Sequence, residues 1–188
     1  MKVGTALLIC LSGAFLLALL GPAHAQGAKR QVGAHVHGAG KLTLAIEGRT
    51  VSLEFDAPAQ DIVGFEARPR TDKQRAAVEQ ATMTLRDPFK LFSPTPAAGC
   101  TVESAASELV FEESGTPQGA TEAAHAEFQG RYSLVCQSIE ALQGIDFPYF
   151  KLFPRAEEVE VQVIAPAGQR SFDVKRSRPR LSLRNLAS

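Results

Sequence analysis

The sequence predicts a mostly β domain of the α+β class: an antiparallel β-sandwich or highly curved sheet with one packed helix at about 71–86. Three observations lead there. Two runs of alternating apolar residues (Leu42, Leu44, Ile46 and Val51, Leu53, Phe55) flank the short turn Glu47-Gly48-Arg49, the pattern of a β-hairpin. The same period of two returns at Phe128, Gly130, Tyr132, Leu134 and Cys136, and again at Val159, Val161 and Val163, which turns one side of each strand toward a core. Only one long stretch carries helix signals.

The chain opens with Met1-Lys2 and an apolar run from Ala6 to Leu20, and then Ala23-His24-Ala25 precedes Gln26. That order is the pattern of a secretory signal peptide over residues 1–25. The run is short for a membrane span, which needs roughly 20 residues. A retained anchor is the alternative, but the expected product is exported and not membrane-embedded. Residues 26–40, rich in glycine, alanine and polar side chains, read as an arm. Residues 41–188 then form a single β-rich domain, a usual length for one core.

Past the hairpin, Pro58 ends the second strand. The connection Asp61-Ile62-Val63-Gly64-Phe65-Glu66 is more apolar than an ordinary loop and is expected to tuck against the core. Thr71 begins the helix with a Thr-x-x-Gln capping box to Gln74 and Asp72 at the positive end of the dipole. Ala76, Ala77, Val78, Ala81 and Leu85 give it one weakly apolar face, and Asp87-Pro88 stops it. Cys100–Glu103 and Glu108–Glu112 read as one bent strand or two short ones, followed by the polar, small-residue loop Ser114–Ala124. A helical turn is expected at Ser138–Leu142, then an aromatic cluster of Phe147, Tyr149, Phe150 and Phe153. Phe172 and Val174 return beside the valine strand, and Pro179–Arg184 can add an edge strand.

The whole chain holds 20 basic and 20 acidic residues, and the leader removes one base and no acid. This balance gives no support for nucleic-acid binding by bulk charge. The basic run Lys175, Arg176, Arg178, Arg180 and Arg184 could meet an anionic partner, although such residues more often form the solvated side of an edge strand. Cys100 and Cys136 are the two cysteines left after the leader. In an oxidising compartment an even pair most simply forms a disulfide; thiolate metal ligands are the alternative.

Metal handling is the chemistry best supported by the residues. Without the leader only His35, His37 and His125 remain. His35 and His37 stand at i and i+2 in Ala34-His35-Val36-His37-Gly38, and in an extended strand they would share a face with Cα atoms about 6.5–7 Å apart. His125 and Glu127 repeat that spacing in His125-Ala126-Glu127-Phe128. Three imidazoles and a carboxylate are a set that zinc accepts as a tetrahedron; copper and nickel also suit imidazole. The competing reading is solvated histidines on a loose arm and an ordinary exposed strand glutamate. Enzymatic readings fare worse. His-x-Glu lacks the downstream Pro-Cys-x-x-Cys of nucleobase deaminases. The chain also has no Gly-x-Ser-x-Gly elbow, phosphate-binding glycine loop or His-Glu-x-x-His helix. The expectation is a protein that is not an enzyme.

Together these segments resemble one family. His35-Val36-His37-Gly38 before the hairpin, Pro58 with Asp61-Ile62-Val63-Gly64-Phe65-Glu66, Cys100, His125-Ala126-Glu127-Phe128 and the run Tyr132–Cys136 are similar, in this order, to the ZrgA-like zinc-regulated periplasmic zinc-binding proteins. The resemblance covers most of residues 34–154. It implies a periplasmic, non-catalytic accessory of zinc acquisition or buffering, acting upstream of an inner-membrane zinc importer or its binding protein. The ligands would be His35, His37 and His125, with Glu127, Glu66 or a water in fourth position. Relatives carry a histidine- and acid-rich insertion before the last histidine strand, where Ser114–Ala124 has no histidine and only Glu122 as an acid. They also tend to have a histidine after Gly-Phe-Glu, where this chain has Ala67. A non-metal envelope interaction domain, docking a partner through a sheet edge or the basic C-terminal strand, is the alternative function.

Overall fold

A computed structural model describes residues 37–111 and 125–186. The expected signal peptide, most of the arm including His35, and the loop Ser114–Ala124 lie outside the described residues.

Strands β1 (Ala39–Glu47) and β2 (Thr50–Pro58) form the hairpin, in register from Lys41 opposite Asp56 to Glu47 opposite Thr50. A short helix α1 (Ala59–Ile62) follows, then α2 (Asp72–Leu85), α3 (Pro88–Leu91) and the two-residue β3 (Ser93–Pro94). The long strands β4 (Cys100–Phe111) and β5 (Ala126–Cys136) come next. The chain finishes with β6 (Gly144–Asp146), α4 (Tyr149–Leu152), β7 (Glu158–Ala165), β8 (Gly168–Lys175) and β9 (Arg180–Ser182).

Six strands make one sheet in the order β4-β5-β2-β1-β7-β8, and β3-β6-β9 make a small second one. The large sheet buries a single face. Leu42, Leu44 and Ile46 of β1 lie beside Phe55, Leu53 and Val51 of β2 and beside the valines of β7. The opposite positions stay open to water, the alternation expected of a sheet covered on one side. The buried face is covered by the helices, the small sheet and the C-terminal leucines Leu181, Leu183 and Leu186. Phe55 meets Phe92 and Tyr149 edge-to-face with centroids 5.1 Å apart. Phe147, Phe150 and Phe153 extend this cluster, as the aromatic run in the sequence suggested.

The fold is mostly β and α+β as expected, with two differences of detail. The sheet is mixed, because β1 pairs with β7 in parallel, Ala39 opposite Glu158 through Ala45 opposite Ile164. That pairing joins segments more than a hundred residues apart, and no local alternation reports it. In the basic C-terminal run Lys175, Arg178, Arg180 and Arg184 are exposed as expected, and the difference is the half-buried Arg176. The Arg176 guanidinium donates to the carbonyls of Phe150, Phe153 and Ala156 and lies over the Phe150 ring, and Arg180 pairs with Asp146. Cys100 and Cys136 face each other across β4 and β5 and form a disulfide, so the thiolate-ligand alternative falls. Among the described residues no helix is long and apolar enough to cross a membrane.

Candidate functional site

The order of the sheet brings three separated pieces of sequence to one place. Both β1 and β5 run antiparallel to β2, one on each side of it. The starts of β1 and β5 therefore flank the end of β2. His37 stands two residues before β1, His125 one residue before β5, and Glu66 lies on the connection that leaves β2.

Glu66 is the centre of the group. Its Oε1 is 2.9 Å from His37 Nε2 and its Oε2 is 3.0 Å from His125 Nδ1. The Glu66 side chain is 13% exposed while the two imidazoles are 62% and 52% exposed. A sheltered carboxylate thus carries two rings that face solvent. The sequence suggested that the histidine pair would sit in an extended strand; instead His37 occupies a turn and the strand begins at Ala39. Gly38 explains the difference, since its φ of +87° breaks the extended path in a conformation that glycine adopts readily. Glu127 lies buried on β5, opposite Pro58, and accepts a hydrogen bond from Gln129 Nε2.

Three contacts hold the connection that carries Glu66. Both oxygens of Asp61 accept from the Gly38 N–H, at 3.0 and 2.9 Å. Arg155 donates from Nε to the Gln60 carbonyl, and its guanidinium lies so close over Gly64 that a Cβ there would come within 2.7 Å of it. Arg68 stacks on the Phe111 ring, 4.4 Å from its centroid. Gly64 has a φ of +86°, so this position favours glycine on both counts.

Burial pushes the Asp61 carboxyl above its ordinary value; the Gly38 N–H and the charge of His37 work against that rise, the charge of Glu66 adds to it, and Arg155 opposes it. Burial likewise raises the Tyr149 phenol, and the charge of Asp61 raises it further. Asp61 and Glu127 are the two buried acids among the described residues, and both lie at this end of the sheet. Asp61 had a legible signal. A charge inside an otherwise apolar, core-directed stretch needs a partner to be stable there. Arg155 had none, because its contact crosses 95 residues of sequence.

Two imidazoles and a carboxylate are donors suited to a borderline transition metal. Among the described residues, no group of three or more His, Cys, Asp or Glu side chains is arranged as a ready metal cage. Each imidazole instead bonds a different oxygen of Glu66, at 2.9 and 3.0 Å.

No curated protein shows significant similarity to the chain. Residues 34–183 match the model described as "ZrgA family zinc uptake protein". That match spans both histidine segments, the Glu66 connection and every strand of the large sheet, and the chain therefore belongs to the ZrgA family of zinc uptake proteins.

Proposed function

We propose that this protein is a periplasmic accessory of zinc acquisition or buffering, without a catalytic step of its own, whose cargo ion is taken up by His37, Glu66 and His125. His35, two residues before His37, is the candidate third imidazole, with Glu127 or a water as a further donor. The observation that carries the reading is the single carboxylate joined to an imidazole at each oxygen. Donors around a tetrahedral zinc with bonds of about 2.0–2.2 Å stand roughly 3.3–3.5 Å apart. The observed nitrogen–oxygen separations are shorter by a few tenths of an ångström, as a proton-bridged arrangement requires. Zinc would replace those protons, the exposed rings turning to bring both nitrogens to the ion.

Exposed rings suit a protein that must release what it binds, since the ion can leave through solvent or pass to an importer or its binding protein. The disulfide and the zinc-uptake family fit an extracytoplasmic protein, and the leader pattern supports export to the periplasm. The rival reading, an interaction domain using a sheet edge or its basic C-terminal strand, loses Arg176, which is engaged within the chain.

Zinc titrations of the purified protein against a chromophoric chelator, run beside copper and nickel, test the reading. Wild type takes one zinc, and His37→Ala and His125→Ala each weaken binding by about ten-fold or more. Affinity also falls on acidification, because a protonated imidazole cannot ligate. Unchanged zinc affinity in the His37→Ala/His125→Ala double variant removes the site.

A further inference from the structure

We propose that Asp61 is a positioning residue for metal capture: its buried carboxylate grips the backbone immediately after His37 and so holds that imidazole against Glu66. The proposal rests on the zinc reading above and adds a residue that does not itself ligate. Asp61 is 2% exposed, and both its oxygens converge on one N–H, that of Gly38.

The two sides of Gly38 are held by different devices. Its carbonyl accepts from the N–H groups of Glu157 and Glu158, at 2.7 and 2.8 Å, where the β1–β7 ladder begins. The ladder fixes everything from that carbonyl onward and persists whatever stands at position 61. The N–H side belongs to the peptide plane shared with His37, and there the carboxylate makes the hold. With φ at +87°, that plane would be free to turn if released, because glycine tolerates many conformations.

Asp61 also lies on the same short connection as Glu66. One segment therefore supplies the group that fixes the backbone beside His37 and the group that meets the His37 ring, and Arg155 pins the segment through Gln60. A rotated or retracted connection would move both carboxylates together. The buried negative charge adds a second effect, since it favours a cation arriving at the neighbouring donors.

Zinc competition titrations on Asp61→Ala and Asp61→Asn test this, with Tyr132→Phe as a control that removes a buried hydrogen bond far from the site. Asp61→Ala is expected to bind zinc about ten- to a hundred-fold more weakly, the range typical of groups that orient a ligand. Asp61→Asn keeps an acceptor without the charge and should lose less, and Tyr132→Phe should bind as wild type. Affinity in Asp61→Ala within about two-fold of wild type overturns the proposal, as does an equal loss in Tyr132→Phe. If Asp61→Ala does not fold, amide and imidazole NMR of Asp61→Asn without metal decides. The Gly38 amide and His37 ring signals should move while the Gly48 amide, at the far end of the hairpin, stays. Unmoved Gly38 and His37 signals overturn it. This last readout needs no zinc, so a wild type that binds none defeats the functional reading while the grip of Asp61 on Gly38 and His37 is still judged separately.

Discussion

Asp61 is held under opposing demands. Burial favours its neutral form, while the Gly38 N–H and the nearby positive charges favour the anion, and the balance leaves its pKa above the ordinary carboxylate value. The folded state therefore binds the Asp61 proton more tightly than the unfolded chain does. That linkage contributes stability which is fully present below the unfolded value of 3.8 and is lost as pH rises through the raised folded value. Asp61→Asn carries no such proton. Its stability relative to wild type should be greatest near neutral pH, fall on acidification through the raised value, and level off below the unfolded one. Urea midpoints of both proteins across that interval check this, and a difference independent of pH would contradict it. The same residue shows what sequence could and could not yield. The charge within Asp61-Ile62-Val63-Gly64-Phe65 was visible, but its partner was not, because Gly38 becomes a neighbour only once β1 and β2 are paired.

Helix α2 and strand β5 are the elements whose sequences spoke most clearly, and they meet. The Thr71–Gln74 capping box forms as its spacing indicates, because both partners lie within one turn. Period two in β5 likewise points Phe128, Tyr132 and Leu134 inward. The helices α1, α3 and α4 were not legible as helices. Each is four residues long, too short to show a period or to stand without its packing. One polar bond adds to the apolar packing of α2 on the sheet. The Tyr132 hydroxyl donates to the Leu85 carbonyl at 2.8 Å, at the last turn of the helix, and burial raises the phenol's pKa. The helix buries only Ala81 and Leu85, so its apolar face holds it weakly and this bond matters. Tyr132→Phe leaves the carbonyl without that donor and should destabilise the protein by about 1–2 kcal/mol. Urea unfolding gives the loss, and the amides of the last α2 turn should exchange faster than those of β2. A change below about 0.3 kcal/mol would mean that apolar packing alone docks the helix.

Across the whole molecule, the two ends of the large sheet are specialised differently. Strand β5 runs from Ala126, next to His125 beside Glu66, to Cys136 in the disulfide. The candidate site residues thus lie at one end and the covalent tie at the other. The disulfide closes a segment of 36 residues that includes the polar loop before His125. In the chain-entropy account, removing such a closure destabilises by about 3–4 kcal/mol, a large part of the 5–15 kcal/mol typical of a domain. The site should feel little of it while the protein stays folded. Glu66 and His37 depend on β1, β2 and the Asp61 and Arg155 contacts, none of which uses the cysteines. A Cys100→Ala/Cys136→Ala variant, which avoids reductants that themselves bind zinc, should therefore unfold at much lower urea. Under native conditions it should still titrate zinc with wild-type affinity. If affinity falls together with stability, the loop tethered by the disulfide takes part in presenting His125, and the two ends of β5 are coupled.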